Sequence, residues 1–258
     1  MMRLDKFLAD MGCGTRSELK KEIRKGNACV NGIPVNDPGS QVSSSDTVTF
    51  KGYPVGYEEF VYYMLNKPAG VISASEDSRE TTVVDLITEQ KRRDLFPVGR
   101  LDRDTEGLLI ITNDGEMAHR LLSPRHHVDK LYRAVVSGRV SDADVRAFAE
   151  GLILPDGLKC LPADLKILSS DNPADSLPDL LSDDADDALC DTEGVSSAVE
   201  IIIREGKFHQ IKRMFRAVGK EVLYLERLSM GPIRLDPDLA RGAYRRLSDK
   251  ELRVLKEI

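Results

Sequence analysis

A short apolar run next to a dense cluster of charges constrains the fold of this chain most. The run spans 108–111, where four bulky apolar residues in succession are typical of a buried strand. Asp102 and Asp104 stand just upstream, interleaved with Arg100 and Arg103. These charges either decorate a surface turn, or they hold a reactive carboxylate at the edge of the core with basic groups beside it.

Apolar periodicity predicts an α+β fold with a mostly antiparallel mixed sheet. Helical spacing predicts helices at 3–12, 15–26, 115–123, 141–151 and 209–219. Strand patterns lie at 46–50, 60–74, 107–115, 130–138, 198–206 and 220–235, and 81–87 could begin either a helix or a strand. Hairpin signals and irregular spacing argue against a doubly wound parallel sheet.

The chain divides into two modules. The first, 1–51, has two helices, the second opened by a capping-box spacing from Thr15 to Glu18, and then a hairpin signal at Asn31-Gly32. Residues 52–59 are rich in Gly and Pro turn signals and are predicted to be a linker. The remainder, 60–258, forms the larger module.

One segment accounts for the negative charge of the chain. Residues 169–198 contain nine acidic residues and no Lys or Arg, so the rest of the chain carries +3 within a total of −6. Its Asp, Ser and Pro content predicts a disordered insertion, although an interaction element is the alternative. A basic body is compatible with an anionic partner such as nucleic acid.

Cysteine spacing and hydropathy indicate a cytoplasmic protein. Cys13, Cys29, Cys160 and Cys190 have no CxxC spacing, which predicts free thiols in a reducing compartment. No apolar run approaches the roughly 18–20 residues of a membrane span, and the N-terminus lacks the apolar core of a signal peptide.

Three motifs resemble the pseudouridine synthases that modify ribosomal RNA. "GRLDRDTEGLLIITNDG" (99–115) resembles the active-site signature, and "SPRHHVDKLYRAVVSG" (123–138) and "EGKFHQIKRMFRAVGKEVLYLERLSMGPIRL" (205–235) follow in the order of that family. The first module resembles the small RNA-binding domain of ribosomal protein S4. The resemblance therefore implies an S4-like domain followed by a pseudouridine synthase catalytic domain.

Two further segments resemble the branch of this family that acts on the small subunit. They are "SPRHH" (123–127) and "LDPDLARGAYRRLSDKEL" (235–252). The resemblance implies modification of one uridine of 16S rRNA, position 516 in the conventional count, with 23S rRNA as the competing target. It also implies an isomerase that acts on RNA, either as free rRNA or within an assembling small-subunit particle. The protein is expected to be a monomer.

The resemblance assigns the chemistry to Asp102. Isomerising uridine exchanges no electrons and loses no group, so no cofactor or metal is expected. Asp102 would attack the sugar at its anomeric carbon or remove a proton from the neighbouring carbon, and either role requires an ionised carboxylate. Lys212 in "HQIKR" is the candidate cation that keeps it ionised. For an Asp without this motif, a surface turn would be the default interpretation.

Other residues are candidates for contacting the target nucleotide. Tyr132 matches a stacking Tyr of the family, with packing in the core of its strand as the alternative. Ile211 could cover the other face of uracil or belong to the core. Arg100 could fill the vacated base position or hold phosphate, and its alternative is a structural salt bridge.

Basic residues are predicted to contact the RNA backbone, which supplies affinity rather than sequence selection. On the first module they could equally be a solvated helix face. The predicted contacts are Arg3, Lys6, Arg16, Lys20, Arg24 and Lys25 on the first module, and Arg125 and His126 on the second.

Three other hypotheses are weaker. Asp102 and Asp104 could form a metal-binding DxD pair, and the four histidines invite a zinc interpretation, but no further ligand lies at a recognised interval. A carboxylate-pair hydrolase would use the same two aspartates. A non-catalytic ribosome-assembly protein could also retain this fold. We predict that Asp104 is an exposed acid.

Overall fold

The structure, a computed structural model, describes residues 1–89, 92, 94–123, 125–169 and 195–257. Most of the predicted acidic insertion, 170–194, and with it Cys190, lies outside the described residues. Within the described residues no helix has both the length and the apolar character needed to cross a membrane. Cys13, Cys29 and Cys160 are free thiols.

The N-terminal unit packs two helices against small sheets. Its elements are β1 (Met2–Arg3), α1 (Leu4–Asp10), α2 (Arg16–Arg24), β2 (Ala28–Val30), β3 (Ile33–Pro34), β4 (Gln41–Val42), β5 (Val48–Phe50) and β6 (Tyr53–Val55). β1 pairs with β4, and the other four strands form a sheet in the order β3-β2-β5-β6. Leu4, Phe7 and Leu8 of α1 are fully buried, so the apolar stripe predicted from the sequence forms the core of this unit.

Local signals in this unit were predicted correctly. The Thr15 hydroxyl accepts a hydrogen bond from the Glu18 amide, and the Glu18 carboxylate accepts one from the Thr15 amide, which completes the capping box of α2. Asn31 and Gly32 both have positive φ, 52° and 78°, as a tight two-residue hairpin between β2 and β3 requires.

The predicted boundary of this unit is too early. Residues 52–59 do not begin as a linker, because β6 pairs with β5 and carries the sheet to Val55. The Gly of this pattern lies in the tight turn before β6, and the Pro lies within β6 itself. β6 is an edge strand of its sheet, where a residue without a backbone N–H group is tolerated. Beyond β6, the Glu58 carbonyl accepts a hydrogen bond from the buried Arg92.

The larger unit is built on one mixed sheet of nine strands. They are β7 (Tyr62–Lys67), β8 (Phe96–Pro97), β9 (Glu106–Thr112), β10 (Lys130–Ser137), β11 (Asp164–Ser169), β12 (Ser196–Ile203), β13 (Val222–Met230), β14 (Ile233–Arg234) and β15 (Tyr244–Arg246). The main order is β11-β12-β10-β13-β9-β7-β15, with β8 on β9 and β14 on β13. Of these pairings only β13 with β9 is parallel, as the predicted mostly antiparallel sheet requires.

Among the described residues of this unit, four helices accompany the sheet: α3 (Gly115–Leu122), α4 (Asp142–Glu150), α5 (Gln210–Ala217) and α6 (Asp249–Lys256). One apolar core includes Phe148 of α4 and Phe215 of α5, whose ring centroids are 4.9 Å apart. The other includes Leu121 of α3 and Leu255 of α6. Because consecutive side chains of a strand face opposite sides, Leu109 joins the first core and Leu108 and Ile110 the second.

Three sequence interpretations need correction. Residues 81–87 form neither a helix nor a strand; they contain turns and an isolated bridge from Ile72 to Thr82. β11 and β12 extend into the two ends of the segment predicted as an insertion, at Ser169 and Ser196. α6 was not anticipated, although Ser248 caps it through the Glu251 amide.

Gly107 determines how closely β9 and β13 approach. It has φ of 94° and pairs with Arg227, and a Cβ on it would lie 2.4 Å from the Arg227 carbonyl oxygen. A side chain disfavours this positive φ, and its Cβ would clash with the Arg227 carbonyl, so only Gly fits here without a shift of the backbone. This contact joins the strand that follows Asp102 to the strand that follows α5.

We predict that Gly107→Ala destabilises the protein strongly. Gly138→Ala is the matched control, since Gly138 also has positive φ but no atom lies within 4 Å of an added Cβ. The control should cost about 1–2 kcal/mol for the left-handed backbone, and Gly107→Ala at least about 2 kcal/mol more for the clash. Urea unfolding of both variants tests this, and equal penalties would contradict the close-approach argument.

Candidate active site

Asp102 lies in the turn that leads into β9. The buried Leu101 before it is held on both sides by Ser73, whose hydroxyl donates to the Leu101 carbonyl at 2.8 Å and accepts from its amide at 3.0 Å. The Thr105 amide donates to the Asp102 carbonyl at 3.1 Å and closes the turn. The Asp102 side chain is 25% exposed, so its carboxylate sits at the edge of the core and not in bulk solvent.

Lys212 supplies the cation beside this carboxylate. It stands in the first turns of α5, whose apolar residues Met214 and Phe215 anchor the helix in the core. Its ammonium lies 3.4 Å from Asp102 Oδ2, and its side chain is only 21% exposed. Partial burial strengthens such an ion pair relative to one at the surface.

Asp104 shares the same lysine. Lys212 Nζ lies 2.5 Å from Asp104 Oδ1, closer than to Asp102, while the Asp104 side chain remains 72% exposed. Burial would raise the pKa of Asp104, but the hydrogen bond and charge of Lys212 outweigh it and lower that pKa. The predicted exposure is confirmed, whereas the shared cation was not anticipated from the sequence. In the described part of the chain, no three His, Cys, Asp or Glu side chains form a metal-binding group.

His209 completes the immediate surroundings of Asp102, and the sequence interpretation missed it. Its Nε2 lies 3.5 Å from Asp102 Oδ1, whereas Lys212 lies closest to the other carboxylate oxygen, Oδ2. His209 precedes α5 with φ of 48°, a left-handed conformation that is uncommon for residues other than Gly. The available signal was its position three residues before Lys212, which places both near the start of one helix.

Lys67 supports the turn from beneath. It is fully buried at the end of β7, and its ammonium donates to the carbonyls of Thr105 at 2.8 Å, Pro68 at 3.0 Å and Arg103 at 3.2 Å. Burial lowers the pKa of Lys67 to about 8, against the opposing charges of nearby carboxylates. The lysine therefore fixes the backbone on both sides of Asp104.

Tyr132 and Ile211 lie together with Leu101 in one apolar cluster, and they are 6% and 4% exposed. The buried Arg227 approaches the hydroxyl of Tyr132 at 3.5 Å and donates from Nε to the Leu108 carbonyl at 2.7 Å. Both residues are thus largely packed in the core, as the alternative interpretation expected. Ile211 nevertheless lies on α5 next to Lys212, and Tyr132, on β10, belongs to the same apolar cluster as Leu101 next to Asp102.

The other predicted RNA contacts are at the surface. Arg100, Arg125 and His126 are exposed. In the described part of the chain, the Arg100 side chain makes no ion pair, so the alternative of a structural salt bridge finds no partner there.

The cations of the N-terminal unit are organised by one buried acid. Asp5 is 0% exposed, and its carboxylate accepts hydrogen bonds from Arg3 and Arg16 at 3.1 Å, with Lys20 at 3.9 Å. Burial raises the pKa of Asp5, but the two arginines outweigh that effect and lower it. The cluster retains a net positive charge on the surface.

The other three predicted contacts of this unit, Lys6, Arg24 and Lys25, lie outside the cluster around Asp5. Lys6 pairs with Asp10, and Lys25 with Glu22 at 2.8 Å. Arg24 is exposed on α2, and within the described residues its side chain makes no ion pair.

Comparison with known families gives two matches. The model of the RNA pseudouridylate synthase family matches residues 61–217, which include Asp102, Tyr132 and Lys212. The S4 domain model matches residues 2–48, within the N-terminal unit. Together they cover most of the chain.

Individual proteins are similar over nearly their whole length. A Bacillus subtilis strain 168 protein named "Uncharacterized RNA pseudouridine synthase YtzG" is 44% identical over 99% of this chain and 99% of its own. "Ribosomal large subunit pseudouridine synthase B" of the same organism is 35% identical, over 100% of this chain and 97% of its own. "Ribosomal small subunit pseudouridine synthase A" of Haemophilus influenzae is 34% identical, over 98% and 99%.

A solved structure agrees with these relatives. It is described as "Crystal structure of pseudouridylate synthase", and it superposes with a TM-score of 0.62 at 34% identity. The superposition covers 99% of this chain and 100% of that chain. The likeness thus extends over both units.

The buried lysine yields a pH-dependent prediction. The folded-state pKa of Lys67, about 8, lies below its ordinary value of 10.5, so the unfolded chain binds more protons between these pH values. The contribution of Lys67 to stability therefore rises with pH across that window. We expect the destabilisation caused by Lys67→Met to grow between pH 7 and pH 9.5, on the order of 1–2 kcal/mol.

Urea unfolding at the two pH values measures this difference. Lys250→Met is the control, because Lys250 is exposed on α6 and its replacement should change the unfolding free energy little at either pH. A penalty for Lys67→Met that stays constant with pH would show that the buried amine does not titrate in this range.

Proposed function

The chain belongs to the RNA pseudouridylate synthase family, and from that premise we propose that it isomerises one uridine of 16S ribosomal RNA through Asp102. The proposed target is uridine 516 in the conventional count. The segments 123–127 and 235–252, together with the small-subunit relative at 34% identity, support this target. The large-subunit relative at 35% identity keeps 23S rRNA as the competing target.

The observation that carries the proposal is the ion pair between Asp102 and Lys212, 3.4 Å apart at the edge of the core. Forming pseudouridine breaks the bond between base and sugar, turns the base and rejoins it through carbon. An ionised carboxylate can attack the anomeric carbon or take the proton of the neighbouring carbon. In either case Lys212 has the same task, which is to place a positive charge beside the reacting carboxylate.

The target base must leave its stack before its sugar can reach the carboxylate. We assign the wall that receives it to Tyr132 and Ile211, which are buried beside Leu101 in the same core. Because both residues are almost fully buried, they suit the wall of a pocket better than an open surface on which a base stacks. Arg100, exposed two residues before Asp102, would occupy the vacated position or hold phosphate.

Backbone contacts are assigned to the cations of both units. The cluster of Arg3, Arg16 and Lys20 around Asp5 would bind phosphate together with Lys6, Arg24 and Lys25, and Arg125 and His126 would add contacts on the larger unit. Such contacts orient the RNA without reading its sequence. We propose that the protein acts as a cytoplasmic monomer on 16S rRNA, best presented in an assembling particle.

The alternatives have less support from the geometry. A non-catalytic assembly protein would not need Lys212 and His209 on opposite oxygens of Asp102. A carboxylate-pair hydrolase would need Asp104 as a second reactive acid, yet Asp104 is 72% exposed and bound to Lys212.

Complementation of cells that lack the protein tests the function, the target and the residue together. The proposal predicts loss of one pseudouridine from 16S rRNA, restored by the wild-type protein and by Asp104→Ala. Asp102→Asn should not restore it, with a rate reduced by roughly 10³-fold or more, because the amide can neither attack nor accept a proton at neutral pH. Pseudouridine mapping of 16S and 23S rRNA provides the measurement.

Each alternative gives its own result in that experiment. Loss of a site in 23S rRNA would identify the large subunit as the target. Full restoration by Asp102→Asn would refute the catalytic assignment, and failure of Asp104→Ala would show that pseudouridine formation needs both carboxylates. No loss of pseudouridine from either rRNA in cells without the protein would favour the hydrolase or the non-catalytic protein.

Phosphate binding by the N-terminal unit is tested through salt dependence. Arg24→Gln should weaken RNA binding similarly for different sequences and lower the slope of log K against log salt concentration by about 1. Lys250→Gln is the control, an exposed lysine on α6 for which no RNA contact is proposed. Filter binding from low to high salt gives the slopes, and an unchanged slope for Arg24→Gln would remove this residue from the interface.

A further inference from the structure

Phe208 is the most exposed phenylalanine in the part of the chain that the structure describes. The residue is 77% exposed, an exposure that only Tyr53, at 76%, approaches among the described aromatic residues, and most of the other phenylalanines are at least partly buried. No packing requirement explains a large flat apolar side chain in solvent. A single exposed apolar residue is ordinary, so its surroundings decide whether it has a role.

The buried side chain of Gln210 holds the loop around Phe208 through hydrogen bonds. Gln210 is 4% exposed; its Oε1 accepts from the Lys207 amide at 3.0 Å and its Nε2 donates to Glu205 at 2.7 Å. These two hydrogen bonds close the loop over 205–210, which contains the left-handed backbone of His209. Left-handed backbone at a non-glycine residue costs free energy and is retained mainly where the surrounding structure enforces it. Phe208 lies within the loop that these hydrogen bonds close, and it is exposed there.

One face of the Phe208 ring is covered and directed at the active site. The rings of Phe208 and His209 stack with centroids 3.8 Å apart and an angle of 18° between planes. His209 in turn lies 3.5 Å from Asp102 Oδ1. Phe208 is therefore one ring further from the carboxylate than His209, and its high exposure leaves the outer face open.

We propose that the outer face of Phe208 is a stacking subsite for the nucleotide adjacent to the target uridine. The inference rests on the proposed function, because it takes the sugar of the target to lie at Asp102. The target base goes to the buried wall of Tyr132 and Ile211, and the neighbouring nucleotide is left without its stacking partner. The ring pair of Phe208 and His209 replaces that partner. Every base has a flat π face, so this contact tolerates different sequences.

A double-change experiment tests the contact itself. The substrate is the rRNA fragment in which the wild-type protein forms pseudouridine, tritiated at uracil C5, with the nucleotide 5′ or 3′ of the target either intact or abasic. On intact RNA, Phe208→Ala and Phe208→Leu should lower kcat/KM by roughly 5- to 100-fold, while Phe208→Trp keeps it. Removing the base at one of the two neighbouring positions should lower the kcat/KM of the wild-type protein by a similar factor. The same abasic RNA should not lower the kcat/KM of Phe208→Ala below its value on intact RNA.

Ile153→Ala is the matched control, because Ile153 is 68% exposed on the same unit and has no proposed RNA contact. It should retain wild-type kcat/KM. Equal activity of Phe208→Ala and wild type on intact RNA would overturn the subsite. The subsite would also be overturned if, at both neighbouring positions, the loss from Phe208→Ala and the loss from the abasic substitution multiplied. Phe208 would then act by holding His209 against Asp102. Absence of tritium release from the wild-type protein on any rRNA fragment would instead refute the proposed function.

Discussion

The ion pair between Lys212 and Asp102 is the interaction on which the proposed active site depends. The two residues are far apart in the chain, and each is positioned by a separate part of the fold. Asp102 depends on the Leu101–Ser73 contacts and on Lys67 beneath its turn, while Lys212 depends on the packing of α5. β9 and β13, the strands that follow these two residues, form the parallel pair of the large sheet at Gly107 and Arg227. A small error in that pairing would separate the charges.

Much of the fold could be predicted because it is encoded locally. The capping box at Thr15, the hairpin at Asn31-Gly32 and the apolar spacing of α5 each depend on residues a few positions apart. Asp102 and Lys212 were also predicted together, although from resemblance and not from spacing. The unit boundary was predicted too early, because a Gly-Pro pattern marks a turn whether or not a strand follows it, as at β6.

The rest of the site depends on contacts distant in sequence, which spacing cannot reveal. Lys67 is buried under the turn because β7 pairs with β9, whereas the sharing of Lys212 by Asp104 and the contact of His209 with Asp102 arise only when α5 docks against the sheet. The low exposure of Tyr132 likewise follows from the position of β10 between β12 and β13. A sequence motif names the residues of such a site but not the partners that set their charge and orientation.

We infer that the ribose of one uridine lies against an ionised Asp102 with Lys212 beside it. The most direct measurement is a crystal structure of the protein bound to the rRNA fragment that it modifies. We expect an Asp102 oxygen roughly 3–3.5 Å from the reacting carbon of that ribose, with the Lys212 ammonium still at the carboxylate. RNA bound with its target ribose on another surface, or Lys212 turned away from Asp102 in the complex, would contradict it.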